Sequence, residues 1–241
     1  MNLKTLLKRN HSIVAAYDAL QFLKQIPLAD LRYLRKLQLV FAIKPYSYMN
    51  YANLSKLYDL AAALESSGLE GSTVECGVLN GGSAALLAAV ARRAGSARPM
   101  WLFDSFEGLP EPDEMDVNYL GKPGHKGQAL GQVEKVEEVL YKKLKLRPEA
   151  IHIQKGWFED TVPRARQAIG RIALLHVDCD WYRSVKYCLE HLYDLVVPGG
   201  YVVIDDYGHW LGCRKAVDEF LAPRGVSLTR IDYTGVYARK S

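Results

Sequence analysis

The stretch Ser72 to Ser83, STVECGVLNGGS, constrains the fold of this chain more than any other. Ser72, Thr73 and Val74 form a short strand-forming run that reaches Glu75. Gly77, Gly81 and Gly82 then make a turn around Val78, and the turn enters a helix through Ser83 and the Ala/Leu-rich run behind it. A strand, a glycine turn and a helix N-terminus let backbone N–H groups approach a ligand closely, and the helix end favours negative charge. The spacing is G-x-x-x-G-G, not the G-x-G-x-x-G of dinucleotide sites. It counts against a bound pyrophosphate and so against a nicotinamide dehydrogenase. S-adenosyl-L-methionine fits better: its carboxylate can face the helix N-terminus while Glu75 meets its ammonium group, directly or through water. An ordinary βα turn is the competing reading of this stretch alone.

The rest of the chain alternates in the same manner. Met100 to Phe103 reads as a second strand ending at Asp104, followed by Ser105. An acidic residue there is the expected clamp for ribose hydroxyls, with a helix or turn cap as the alternative. Ile151 to Gln154 is a third strand, leading into Gly156, Trp157 and Phe158. These rings either border an adenine or pack in the core. Arg171 to Val177 is an apolar strand ending in Asp178-Cys179-Asp180. A helix from Ser184 to Leu195 stops at Pro198-Gly199-Gly200, and Tyr201 to Ile204 is a strand ending in Asp205-Asp206. Lys215 to Leu221 is helical, and Val226 to Ile231 and Val236 to Arg239 read as two last strands. The series is βαβα with a terminal hairpin, an open α/β sheet.

Residues 2 to 43 read as helical, with Pro27 breaking the run and opening a second helix. Tyr46, Tyr48 and Tyr51 follow, a cluster that either lines a ligand site or packs half-buried with its hydroxyls at the surface. Then comes an amphipathic helix from Leu54 to Leu64 closed by Gly68. The expected division is an N-terminal helical extension, 1–67, and a main domain, 68–241. Ser105 to Lys126 is rich in Pro, Gly and acid and reads as a long surface loop of the kind used as lids or binding loops. Its histidine, His125, reads as solvated. Leu130 to Leu146 reads as a charged amphipathic helix.

The acids gather the chemistry. Asp178 and Asp205 are 27 residues apart, a strand–helix–strand distance. In an open parallel sheet the carboxyl ends of adjacent strands share one edge, where ligands bind. Asp178, Asp180, Asp205 and Asp206 can then converge, and crowded carboxylates need protons or a cation. Oxygen ligands with no His or Cys cluster indicate a hard ion, Mg²⁺ first, with Mn²⁺ or Ca²⁺ as alternatives. Capping is the other reading for each acid alone. A methyl donor beside a Lewis acid suits transfer to a hydroxyl, with a carboxylate taking the proton.

Composition narrows the partners. The net charge of +4 is mild, and the basic residues near Lys4, Lys8, Arg9 and Arg32 to Lys36 read as solvated helix faces rather than a nucleic-acid surface. Cys76, Cys179, Cys188 and Cys213 show no paired spacing and read as free thiols in a reducing compartment. Carboxylates around Cys179 disfavour it as a nucleophile. No apolar stretch reaches about 18 residues, and no secretory h-region opens the chain. A cytoplasmic protein with no membrane partner is expected, and the extra apolar helices suit a homo-oligomer.

Six segments carry a resemblance. Glu75 to Ser83, Asp104 to Pro110 (DSFEGLP), Lys155 to Glu159 (KGWFE), His176 to Asp180 (HVDCD), Gly199 to Tyr207 (GGYVVIDDY) and Gly212 to Asp218 (GCRKAVD) occur in order. Together they resemble the macrocin O-methyltransferase family, which includes the mycinamicin and tylosin sugar methyltransferases. The resemblance implies a Rossmann-like class I methyltransferase fold, with a seven-stranded, mostly parallel sheet and a C-terminal antiparallel hairpin. It implies Mg²⁺ dependence and methylation of a sugar hydroxyl on a small-molecule acceptor, often a natural product. By the same analogy Glu75, Gly77 and Ser83 lie by the methionine part and Asp104 by the ribose, and Val78, Gly81, Gly82, Ser105, Gly156, Trp157, Phe158 and Asp178 complete the expected cofactor-binding set. Asp178, Asp205 and Asp206 hold the metal, and either Asp178 or Asp180 is the base. The family's usual Asp-Gly-Asp is Asp178-Cys179-Asp180 here. A catechol-type enzyme is the nearest alternative, but it carries a lysine where this chain has Trp181. A noncatalytic S-adenosylmethionine-binding protein is the alternative from another class.

Overall fold

The computed structural model describes residues 11–241. The part of the expected helical run that falls on residues 2 to 10, with Lys4, Lys8 and Arg9, lies outside the described residues. The strands are β1 (Ser72–Cys76), β2 (Met100–Asp104), β3 (Ile151–Lys155), β4 (Ile172–Val177), β5 (Val196–Ile204), β6 (Thr229–Arg230) and β7 (Val236–Arg239). They form one seven-stranded sheet in the order β3-β2-β1-β4-β5-β7-β6. The first five are parallel, and β7 runs antiparallel to both β5 and β6.

Helices α1 (His11–Lys24), α2 (Leu34–Ile43), α3 (Tyr51–Ser67) and α4 (Gly82–Arg93) precede β2. Then come α5 (Val133–Glu137), α6 (Phe158–Ile169), α7 (Tyr182–Leu192) and α8 (Leu211–Leu221). Each face of the sheet has its own core. Leu102, Ala173, Leu174 and Val203 pack with Leu54, Leu57, Leu86 and Val139 on one side. Val74, Phe103, Leu175, Val177 and Ile204 pack with Val162, Val185, Leu189 and Val217 on the other. Both faces of the parallel strands are covered, which explains their near-continuous apolar runs.

The α3 helix shows how local sequence sets a boundary. The Asn50 side chain accepts from the Asn53 backbone N–H at 3.0 Å, capping the first turn. Gly68 closes the helix in the left-handed conformation at φ +66°. The helix packs on α4 and on the sheet, and its Glu65 pairs with Arg98 at 2.6 Å in a largely buried bridge.

Several elements differ from their sequence reading. Pro27 opens a 3₁₀ turn, Leu28–Arg32, and α2 starts only at Leu34. Lys36 is buried against Asp59 at 2.7 Å rather than solvated, while Arg32 and Arg35 are exposed. The expected helix from Leu130 shortens to Val133–Lys143, and its second half winds as a π-helix. Pro198, Gly199 and Gly200 lie inside β5 rather than before it. They form a bulge, because the β4 pairing jumps from Ile172↔Val196 to Leu174↔Tyr201. Lys240 accepts from the Gly199 N–H at 2.7 Å and donates to the Gly200 carbonyl at 2.8 Å, which satisfies the bulge. The last hairpin keeps only two residues of its first strand. Asp232 closes the turn by accepting from the N–H groups of Thr234 and Gly235 at 2.8 and 2.7 Å. The Val226 N–H is instead drawn to the carbonyl of Leu221 at the end of α8.

Candidate active site

Parallel register aligns the site. Cys76 pairs with Phe103 on one side and Val177 on the other, and Val177 pairs with Ile204. The next residues along these strands, Gly77, Asp104, Asp178 and Asp205, therefore stand in one row at the carboxyl edge. The chain order reverses between β1 and β4, the place where open α/β sheets bind ligands. A cavity of about 330 Å³ opens there. Of the residues expected for the cofactor, Gly77, Val78, Ser83, Asp104, Ser105, Gly156, Trp157, Phe158 and Asp178 line it. Asp180, Asp205 and Asp206 line the same cavity. Glu75, Gly81 and Gly82 lie behind this lining.

The glycine loop is built for close approach. Gly77 has φ +89°, and a Cβ there would stand 1.7 Å from the carbonyl oxygen of Asp178. A Cβ on Gly82 would stand 2.5 Å from that of Ser47, so a bare backbone is needed where α4 meets the N-terminal segment. Asp104 buckles the loop. Its Oδ2 accepts from the N–H groups of Val78 at 2.7 Å and Leu79 at 2.9 Å, and its Oδ1 accepts from Phe106 at 2.7 Å. Beneath, the Ser83 hydroxyl donates to Glu75, which is fully buried. Glu75 Oε2 has no hydrogen-bond partner among the described residues. A buried carboxylate oxygen left open in this way suits the ammonium or bridging water of an amino-acid ligand.

The acid side is arranged differently. One carboxylate oxygen from each of Asp178, Asp205 and Asp206 lies within 4.8 Å of the others, and all three residues are half-buried. Among the described residues none of them, nor Asp180, pairs with Lys or Arg. Burial first, then Asp205 and Asp206, pushes the Asp178 carboxyl well above its usual range. Burial and the charges of Asp180 and Asp205 do the same to Asp206. Burial raises Asp205 to about 6, with His176 pulling the other way. Three mutually repelling oxygen donors with no Lys or Arg partner among the described residues fit a hard divalent ion.

Asp180 stands apart from that trio. It is held in the left-handed region at φ +60°, its N–H donates to Asp206 at 3.2 Å, and its Oδ1 accepts from the Trp210 indole at 2.7 Å. Burial raises its carboxyl to about 7, and the indole bond opposes that rise. Cys179, between the two acids, is buried, and its thiol is pushed up to about 11, unsuited to a nucleophile. Trp181, at the position where a catechol-type enzyme carries lysine, is 1% exposed and offers no charge. His125 is exposed.

Four contributors were not expected. Asn53, 2% exposed on α3, donates to Asp205 Oδ1 at 2.7 Å and to Thr234 at 2.8 Å. A polar residue on the buried stripe of a helix was its only signal. Asp116, inside the long loop, is 2% exposed and accepts from the N–H groups of Tyr182 and Asp113, both at 2.8 Å. It pins an otherwise irregular segment over α7. Tyr233 and Thr234, on the last turn, line the cavity beside Tyr46, Ser47, Tyr48 and Met49.

Sheet order, switch-point cavity and glycine loop together define a class I, S-adenosylmethionine-dependent methyltransferase. The chain belongs to the macrocin O-methyltransferase family: the model described as Macrocin-O-methyltransferase (TylF) matches residues 36–240. It is 36% identical over 195 residues to the 8-demethyl-8-(2,3-dimethoxy-alpha-L-rhamnosyl)-tetracenomycin-C 4'-O-methyltransferase of Streptomyces olivaceus, covering 77% of this chain and 73% of that one. It is 30% identical over 202 residues to the mycinamicin III 3''-O-methyltransferase of Micromonospora griseorubida, covering 78% and 77%. The solved O-methyltransferase NovP superposes with TM-score 0.70 at 29% identity, over 81% of this chain and 82% of that one. The calicheamicin methyltransferase CalS11, at 20% identity and TM-score 0.68 over 95% and 93%, shares the fold. Among the described residues no helix is long and apolar enough to cross a membrane.

Proposed function

We propose that this chain is a Mg²⁺-dependent O-methyltransferase whose acceptor is a hydroxyl on the sugar of a glycosylated small molecule. The observation that carries the metal is the trio Asp178, Asp205 and Asp206, within 4.8 Å and without a Lys or Arg partner among the described residues, opening into the cavity of the glycine loop. The sugar acceptor rests on the relatives, two of which are named for methylation of glycosylated natural products. When bound, S-adenosylmethionine supplies an electrophilic methyl group, and Mg²⁺ supplies Lewis acidity toward the acceptor hydroxyl.

The chain's own residues do the rest. Gly77, Val78 and Ser83 hold the methionine part and Asp104 the ribose, with Trp157 and Phe158 against the base. Asp178, Asp205 and Asp206 hold the ion, and Asn53 orients Asp205. Asp180 is the base. It lies outside the trio, faces the same cavity, and keeps one carboxylate oxygen free of the indole bond. It takes the hydroxyl proton as the oxygen–methyl bond forms and the sulfur–methyl bond breaks, leaving S-adenosylhomocysteine. Much of the rate enhancement is positioning of two reactants in one cavity. The extension 1–67 contributes the acceptor wall through Tyr46, Tyr48 and Met49.

The test is transfer of an isotopically labelled methyl group to a panel of sugar glycosides. Activity lost on chelation and restored by Mg²⁺ supports the reading. Transfer that survives exhaustive chelation defeats its metal half.

A further inference from the structure

Three aromatic side chains from three separate loops meet at the rim of the active-site cavity. Tyr119 comes from the long loop after β2, His209 from the segment after β5, and Tyr233 from the β6–β7 turn. Ring centroids are 5.6 Å apart for Tyr119 and His209, 6.1 Å for Tyr119 and Tyr233, and 6.2 Å for His209 and Tyr233. His209 and Tyr233 line the same cavity as Asp205 and Asp206.

The group is held in place yet left open. The Tyr119 N–H donates to the His209 carbonyl at 2.8 Å, and Asn118 bridges to Trp210 as in a β-ladder. The Gly208 N–H donates to the Thr234 carbonyl at 2.7 Å. Even so, Tyr119 is 54% exposed and Tyr233 57% exposed. Backbone bonds thus fix the three loops before any ligand arrives, so little ordering cost remains to be met on binding. Aromatic area held open at a cavity mouth, with phenol and imidazole groups at its edge, is recognition surface.

We infer that Tyr119, His209 and Tyr233 form a carbohydrate subsite that selects the acceptor by the C–H faces of a pyranose ring. The inference rests on the sugar O-methyltransferase reading and deepens it. Geometry favours a sugar over a flat aromatic acceptor. The three ring pairs are inclined at 63°, 69° and 70°, so no two faces are parallel. A planar acceptor would stack on one ring at most. A puckered ring with C–H groups on its faces and hydroxyls at its edge can meet all three and bond to the phenols.

The test uses the full chain with Mg²⁺ and labelled S-adenosylmethionine. Methyl α-L-rhamnopyranoside is the sugar probe and catechol the planar one. Tyr119→Ala and Tyr233→Ala each raise the KM for the rhamnoside by about tenfold, near 1.4 kcal/mol. The loss falls on KM rather than kcat, and the Kd for S-adenosylhomocysteine and the melting midpoint stay at wild-type values. Tyr119→Phe and Tyr233→Phe, which keep the ring, recover most of the affinity. Should an Ala variant fail to fold, the Leu variant at that position takes its place in the same assay. A KM for the rhamnoside that is unchanged in both variants overturns the subsite alone. Absence of rhamnoside binding to the wild-type protein by saturation-transfer NMR also overturns it. Methylation of catechol with the rhamnoside ignored defeats the sugar reading itself.

Discussion

Two acidic stations stand side by side on the same sheet edge and are satisfied in opposite ways. Asp104, ending β2, receives three backbone N–H groups from its own and the neighbouring loop. Asp178, Asp205 and Asp206, ending β4 and β5, face one another, helped by the Asn53 amide and the Asp180 N–H. One carboxylate is charge-compensated by the fold, whereas three are left for something the fold does not supply. A carboxylate that takes three backbone donors organises a loop and keeps one acceptor position on Oδ1 for a ligand hydroxyl, whereas a crowd of carboxylates facing one another creates demand for a cation. The same residue type at equivalent strand ends thus does two kinds of work, separated by which donors surround it.

Substitution breaks this contrast most sharply in the trio. Asp178→Asn should lower kcat/KM by several kcal/mol of transition-state stabilisation, roughly 10³- to 10⁴-fold. In the same variant the melting midpoint of the chelated protein should rise, since one repelling charge is gone. A steady-state assay and a thermal melt in chelator read the two opposite signs. Asp180→Asn should cost about 10²- to 10³-fold in kcat, in the range of a lost general base. Its calorimetric Kd for S-adenosylhomocysteine should stay at the wild-type value, which separates proton removal from cofactor binding.

Asp104→Ala should act in the other direction on stability. It strands three N–H donors and should destabilise the protein by about 2 kcal/mol. That corresponds to roughly 4–8 °C in melting midpoint for a chain of this size. Affinity for S-adenosylhomocysteine should fall with it, and chelation should not modify either effect.

The smallest expected effect is the pH dependence of the metal-free protein. Folding raises the trio and Asp180 above their unfolded values, with Asp205 near 6 and Asp180 near 7. The native state then binds more protons than the unfolded state between pH of about 4 and about 7, so stability falls as pH rises across that window. The chelated protein should lose a few degrees of melting midpoint between about pH 5 and pH 8. Mg²⁺ should restore it, most strongly at the upper end. A chelated midpoint that climbs with pH would show that these carboxylates are not crowded in solution.

The strand ends were readable because their signals are local. Each apolar run stops at an acid, and parallel register places successive ends on one edge. The glycine turn was equally legible, since Gly77 and Gly82 occupy positions where a Cβ has no room. Asn53 was not legible: it lies 152 residues from Asp205 along the chain, on a helix whose pattern speaks only of burial. The bulge at Pro198 to Gly200 escaped because those residues end elements far more often than they sit inside strands. The shortened last hairpin depends on Asp232 side-chain bonds that no periodicity reports.

What the amino-acid order determined alone was the alternation of strand and helix and the kind of chemistry at each strand end. Apolar periodicity and the special backbone needs of glycine are properties of a few consecutive residues. Only the tertiary structure decided that Asp104 is spoken for by backbone donors while the trio is not. It also decided that Tyr119, His209 and Tyr233 share one rim. Compensation of a charge and convergence of rings depend on distances between segments far apart in the chain, and those distances exist only once the sheet has closed its register.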